Sequence, residues 1–313
     1  MKMTSNVFFY WFSILLLAGW GLAGCKAKET LLPPATPLAS LAVTSIPINT
    51  EIAPTATPYP TLPSVPLAAI VNQWPVTQGE YEAELTLYRA SLPPDSIEDA
   101  ATSQQKVLDE LISQALLAQA AWQLGYQVDD AMLQARLDQI SAQLGGSQAL
   151  NAWIDAHGYT DEAFRWTLRR SMAAAWMRDQ IANAVPTTAE QIHARQILLY
   201  NFDQANAVLL QLKNGASFAD LAFQYDPTSG GDLGWFPRGY LTTPEVEEAA
   251  FALKADQFSD VISSPLGFHI VQVIAIEAQR PVQPAAYLVL QEHALSRWIT
   301  EQRAQANIEL RLP

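Results

Sequence analysis

A chain of 313 residues, half of them hydrophobic, exceeds one ordinary domain and carries enough apolar side chains for two cores. Its 31 acidic against 18 basic residues give a net charge of −13, which leaves no electrostatic footprint for nucleic acid and repels an anionic lipid surface. A single cysteine, Cys25, excludes an intramolecular disulfide framework and any multi-cysteine zinc site.

At the N-terminus Lys2 precedes an apolar run over residues 7–17 that closes on the small residues Ala23 and Gly24 before Cys25. A charged start, a hydrophobic middle and a small-residue end mark residues 1–24 as a secretory signal. The other reading is an uncleaved transmembrane anchor, since the run approaches the roughly 20 residues that span a bilayer. Either reading places the rest of the chain outside the cytoplasm. Leu22-Ala23-Gly24-Cys25 resembles the lipobox of bacterial lipoproteins. That resemblance implies cleavage before Cys25 and lipidation of this residue, anchoring the chain to the cell membrane.

Residues 25–66 concentrate proline, from Pro33, Pro34 and Pro37 to Pro60, Pro63 and Pro66, among Thr, Ser and Ala with few charges. Such a segment closes no core and favours extended polyproline conformations, so it reads as a tether. At about 3.1 Å per residue it reaches on the order of 100 Å.

Residues 67–185 read as a helical domain entered through a short strand near 68–71. Thr77 with Glu80 fits a capping box at the first helix. Leu108, Leu111, Ile112, Ala115, Leu116 and Trp122 then keep the spacing of one helix face up to Gly125. Helices are predicted over 129–144, ending at Gly145-Gly146, over 147–156, and from 160 to about 184, with Asp161 and Glu162 suiting the positive end of the dipole. Trp153, Phe164, Trp166 and Trp176 are read as packing residues, the usual role of aromatics at helical spacing. In its entry and first long helix this segment resembles the N-terminal helical part of the SurA and PrsA class of extracytoplasmic folding factors.

Residues 186–280 change texture. A strand over 192–200 leads to a helix over 203–214, a helix over 218–224 capped by Ser217, a helix over 244–253 and a strand over 268–276. This order is an α+β arrangement around a small antiparallel sheet. Between the second and third helices stands Gly230-Gly231-Asp232-Leu233-Gly234-Trp235-Phe236, a turn whose glycines reach positive φ and whose exit is a large apolar surface.

Taken together, the opening strand, Phe218-x-x-Leu221-Ala222, the Gly-Asp-Leu-Gly-x-Phe turn, residues 249–253 and Gly267-x-His269-Ile270 resemble a parvulin-type peptidyl-prolyl cis/trans isomerase domain. Joined to the helical segment, the lipobox and the tether, the whole is similar to PrsA-type foldase lipoproteins. The resemblance implies a proline pocket walled by Phe236, Leu241 and Val246, with a polar end of Asp226, Ser264, His269 and Gln196. It implies no cofactor and no metal, because rotation about an X-Pro bond breaks no covalent bond. Three departures accompany it. Gln196 stands where the family has a first histidine, and can hydrogen-bond but not titrate. Val246 replaces the usual Phe, and the loop from Asp226 to Gly230 is short. His193 is no substitute for Gln196, because an odd separation in a strand puts the two on opposite faces.

Residues 281–313 are expected to form one more helix, over 287–307, and a strand-like tail. In the resembling proteins this segment returns to the helical domain and completes it. The combined expectation is an extracytoplasmic, lipid-anchored foldase. It would isomerise X-Pro bonds in unfolded or partly folded secreted polypeptides, have no nucleic-acid partner, and capture chain through its helical part. The alternative is a holdase chaperone whose parvulin domain is weak or inactive, and a third reading is an assembly scaffold.

Overall fold

The computed structural model describes residues 65–312. The expected signal peptide, the lipidation at Cys25, the alternative membrane anchor and all but the last two residues of the tether lie outside the described residues. Among the described residues no helix is long and apolar enough to cross a membrane. The chain forms two compact units. The first takes the described residues up to Ala115, Val128–Arg169 and the segment from Asn307; the second takes Leu116–Gln127 and Arg170–Ala306.

In the first unit, β1 (Leu67–Val71) pairs antiparallel with β2 (Trp74–Thr77) on one side and with β7 (Ile308–Leu310) on the other. The two ends of the described chain therefore meet in one small sheet. Helix α1 (Gln78–Ser91) starts where Thr77 Oγ1 accepts the Glu80 N–H at 3.2 Å, as the capping signal requires. Helix α2 (Ala100–Gln123) follows, its residues from Leu116 belonging to the second unit, and α3 (Asp130–Leu144) is capped by Asp129, whose side chain accepts the Met132 N–H at 2.8 Å. Helix α4 (Ser147–Ala156) follows, and α5 (Asp161–Asn183) begins in this unit, its residues from Arg170 belonging to the second. The aromatics singled out in the sequence pair with other rings. Trp153 lies 5.9 Å from Phe164, Trp166 lies 5.8 Å from Trp74, and in the second unit Trp176 stacks on Tyr126 at 4.5 Å.

The second unit is built on a four-stranded antiparallel sheet of order β4-β3-β6-β5. Strands β3 (Thr188–Leu199) and β6 (Gly267–Pro281) form its centre, and both outrun the expected 192–200 and 268–276. Their ends, from Thr188 opposite Pro281, are polar and carry no alternation to read. Strand β4 (Asp232–Pro237) occupies most of the stretch read as a turn, and β5 (Ile262–Ser264) is an edge strand too short for a sequence pattern.

Each face of this sheet is covered, which is why β3 alternates little. On one face Ile197, Leu199 and Ile270 pack with α6 (Phe202–Lys213) and α7 (Phe218–Tyr225). On the other, Ile192, Ala194, Phe236, Val271 and Val273 pack with Val246 and Ala250 of α8 (Pro244–Phe251). Helix α9 (Pro284–Gln305), which begins three residues before the expected 287, belongs to the same unit. There Tyr287 Oη donates to the Val185 carbonyl at 3.1 Å and Gln291 Nε2 to the Ala182 carbonyl at 3.1 Å.

Candidate active site

The site takes shape from a register choice. Across β3 and β6 the partners run His193 to Ala275 and then Ala194 to Val273, so β6 carries one extra residue at this point. The bulge sets Gln196 opposite Val271. Cross-strand partners share a face and residues two apart share a face, so Gln196 and His269 become diagonal neighbours. Strand β5 adds Ile262 opposite His269 and Ser264 opposite Gly267, bringing Ser264 to the same place.

Three polar side chains from three strands are thus joined. His269 Nδ1 lies 2.8 Å from Gln196 Oε1, and His269 Nε2 lies 2.7 Å from Ser264 Oγ. A carbonyl oxygen only accepts, so Nδ1 carries the proton and donates it to Gln196. Nε2 is then the acceptor for the Ser264 hydroxyl, which in turn accepts the Leu266 N–H at 3.0 Å. Every hydrogen bond in the array has one direction. His269 is 1% exposed. Burial holds its imidazole below the ordinary histidine value of 6.5, and the nearby Glu245 carboxylate opposes that without reversing it.

The apolar residues gather beside this array. Phe236, Val246 and Leu241 belong to one cluster with Val271, and Ile262, the cross-strand partner of His269, packs on the same cluster. Phe236 is fully buried, with its ring edge-on to Phe251 at 6.0 Å, and Val246 is buried as well. Among the three, only Leu241 retains exposed surface. Leu233, Tyr240 and Ile262 join it as partly buried residues packed on the cluster.

Asp226 stands apart from the array and holds its own loop. Its carboxylate accepts the N–H groups of Thr228 at 3.1 Å, Ser229 at 3.2 Å and Gly231 at 3.3 Å, together with the Ser229 hydroxyl. The Ser229 hydroxyl and these N–H groups keep its carboxyl below the ordinary aspartate value. This loop meets the site through the backbone, because Gln196 N–H donates to the Gly231 carbonyl at 2.8 Å. Gly231 is needed there: its φ is +71°, and a Cβ would lie 1.9 Å from the Gln196 carbonyl oxygen. His193 faces away from the array, as its odd separation from Gln196 requires. Its Nε2 is 2.9 Å from Asp232 Oδ1 and its ring stacks on Trp235 at 5.5 Å.

One residue that positions the site was not singled out in the sequence. The Glu247 carboxylate accepts three consecutive N–H groups, those of Gly239 at 2.7 Å, Tyr240 at 3.0 Å and Leu241 at 2.9 Å. It fixes the loop that lays Tyr240 and Leu241 on the apolar cluster. A glutamate in the first turn of a helix ordinarily reads as a dipole partner, so only the fold of the preceding loop reveals this use.

With this geometry in place, likeness to known proteins bears on the chain. Residues 182–277 match the PPIC-type PPIase domain family, and residues 55–178 match the SurA-like N-terminal domain family. The chain is 28% identical over 251 residues to the chaperone SurA of Methylobacillus flagellatus, covering 66% of this chain and 56% of the relative. It is 28% identical over 190 residues to the foldase protein PrsA of Geobacillus sp., covering 56% of this chain and 65% of the relative. The solved parvulin domain of PpiD from E. coli is 34% identical over 29% of this chain and 93% of that domain, with a TM-score of 0.27. The chain spans between about half and two thirds of the length of these curated relatives. The chain therefore carries a PPIC-type PPIase domain at residues 182–277, preceded by a SurA-like N-terminal domain at residues 55–178.

Proposed function

We propose that residues 186–280 are a peptidyl-prolyl cis/trans isomerase domain acting on unfolded secreted or envelope polypeptides, with residues 67–185 and the C-terminal segment as the chaperone-like part. The observation that carries this reading is the Gln196–His269–Ser264 array set beside the apolar cluster of Phe236, Leu241 and Val246.

A planar amide owes its barrier of about 18–20 kcal/mol to resonance, and resonance also gives it charge separation that water stabilises. A site that grips the proline ring apolarly and withdraws the amide from water favours the twisted state, which has lost that separation. Here Leu241, Tyr240, Leu233 and Ile262 offer the surface for the ring, and Phe236 and Val246 support them from beneath. His269 has both ring nitrogens engaged, so it shapes the polar wall as a fixed neutral group rather than moving a proton. Gln196 serves this role because the array needs an acceptor at Nδ1, not a second titrating group. Asp226 acts through its loop, by seating Gly231 against Gln196.

The burial of Phe236 and Val246, together with Gln196 in the place of a histidine, favours a second reading, a holdase with little turnover. A protease-coupled isomerisation assay on short X-Pro peptides, using the full chain beside His269→Ala and Asp226→Ala, decides between them. Catalysis above the uncatalysed rate that falls in His269→Ala supports the isomerase. No rate above background, with suppression of client aggregation retained, supports the holdase. Placement outside the cytoplasm on a lipid attached to Cys25 is part of the same proposal, and mass spectrometry of the membrane-extracted chain tests it.

A further inference from the structure

Tyr240 and Leu241 reach the apolar cluster on the loop that starts at Arg238, and the room left to that loop governs how firmly the cluster can hold a ring. Two supports are already evident. The Arg238 guanidinium lies over the Phe251 ring at 4.1 Å, and the Glu247 carboxylate takes the N–H groups of Gly239, Tyr240 and Leu241. Both tie the loop to α8 alone. A different element borders the loop at Gly239. Helix α9 lies beyond the residues 182–277 that match the PPIC-type domain, yet belongs to the same compact unit as the loop. Gly239 has a φ of +82°, and a Cβ on it would stand 3.6 Å from Leu290 Cδ2 and 3.6 Å from His293 Nδ1. That separation is ordinary van der Waals contact, so the gap between bare Gly239 and these two side chains holds about one methyl group.

We propose that Leu290 and His293 are positioning residues for the proline site: they form a stop that limits how far the loop can be displaced toward α9, so that the grip on the proline ring depends on a helix outside residues 186–280. This rests on the isomerase reading above and adds to it a restraint supplied by the chaperone-like part. The stop is firm because α9 is held from another side. Tyr287 and Gln291, one turn apart on one face of α9, bond the Val185 and Ala182 carbonyls at the end of α5. Leu290 and His293 are three apart and form a neighbouring face, turned to Gly239. A loop that shifts by more than a methyl group's width therefore presses on side chains whose helix is anchored to α5. Holding a substrate-binding loop close to its productive place lowers the cost of ordering it when the ligand arrives, and that gain appears in binding. Leu290 is partly buried and His293 is exposed, so trimming them opens no core.

The test uses the full chain. Leu290→Ala/His293→Ala is compared with the wild type, with Leu290→Met/His293→Gln, which keeps most of the volume, and with Leu288→Ala, which trims an exposed side chain of the same helix. The protease-coupled assay over a range of X-Pro peptide concentrations gives KM and kcat, and amide hydrogen exchange reads loop opening. In the double alanine variant KM is expected to rise roughly 3- to 10-fold with kcat within about twofold of the wild type, and the Gly239, Tyr240 and Leu241 amides to exchange at least about threefold faster. The other two variants should stay within about twofold of the wild type in KM. An unchanged KM in the double alanine variant, a fall in kcat in its place, or an equal rise of KM in either of the other two overturns the stop while leaving the isomerase reading intact. If the wild type catalyses nothing, the isomerase reading falls and loop exchange alone decides: faster exchange in the double alanine variant upholds the stop, and unchanged exchange overturns it.

Discussion

Gln196 and His269 are 73 positions apart, yet the Gln196 side-chain oxygen lies 2.8 Å from His269 Nδ1 and fixes which ring nitrogen carries the proton. Replacing Gln196 by Leu removes the acceptor and leaves a buried N–H without a partner, at a cost of about 1–3 kcal/mol. Urea unfolding should show this as a lower midpoint with an unchanged slope. Gln196→Glu keeps an acceptor and adds a negative charge, so most of the stability should remain. The His269 titration, followed by imidazole NMR, should then move up, because a carboxylate favours the charged ring.

Burial lowers the His269 pKa in the folded chain, which sets the sign of a pH dependence. Below the ordinary value of 6.5 the unfolded chain binds a proton that the folded chain resists, so stability rises with pH across this window. The contribution is complete at neutral pH and is lost as the pH falls below 6.5 toward the folded value. Unfolding free energies measured between pH 7 and 5 should decline in the wild type and decline less in His269→Gln.

The Asp226 loop gives a second, separate window. Its carboxyl is held below the ordinary value of 3.8, so its contribution is present above that pH and disappears as acid protonates it in the folded chain. Asp226→Asn should leave stability near pH 7 lower than in the wild type and remove the part of the acid transition below 3.8 that the wild type shows. Near-UV circular dichroism across pH 5 to 2 reads the difference.

Gly231→Ala tests the close approach at the turn. The left-handed backbone costs a non-glycine residue about 1–2 kcal/mol, and the added methyl meets the Gln196 carbonyl, so strand β3 or the turn must shift. A destabilisation of about 2–4 kcal/mol is expected, with a changed chemical shift for the His269 ring. A variant as stable as the wild type would mean that the turn does not press on β3.

Glu247→Ala should free the loop that carries Tyr240 and Leu241. Hydrogen bonds to a charged acceptor contribute about 1.5–3 kcal/mol, so the Gly239, Tyr240 and Leu241 amides should exchange at least roughly tenfold faster. Under the proposed function, KM for proline peptides should rise more than kcat falls, since the loop supplies grip on the ring rather than the polar wall.

Local chemistry made much of this protein legible. Helix starts at Thr77, Asp129 and Ser217 carry side chains that cap, and each caps in the structure. The ordered motifs from Phe218 to His269 marked the isomerase domain because each encodes a local demand: a helix face, a positive φ, a strand. Strand ends were less legible, since residues 277–281 of β6 are held by pairing with polar partners and have no buried face to signal them.

What the sequence determined by itself was therefore the domain order, the α+β class and the roster of candidate residues, because propensity, caps and turns depend on near neighbours. Tertiary structure decided how those residues are used. A single extra residue in β6 places Gln196 on the face of His269; without it Gln196 would stand opposite Gln272 and the two side chains would lie on opposite faces. The same level of organisation sinks Phe236 and Val246 into the core, turns Asp226 toward its own loop and makes Glu247 a clamp. Those outcomes depend on register and packing between segments far apart in the chain, where a residue's type states what it can do but not what it will face.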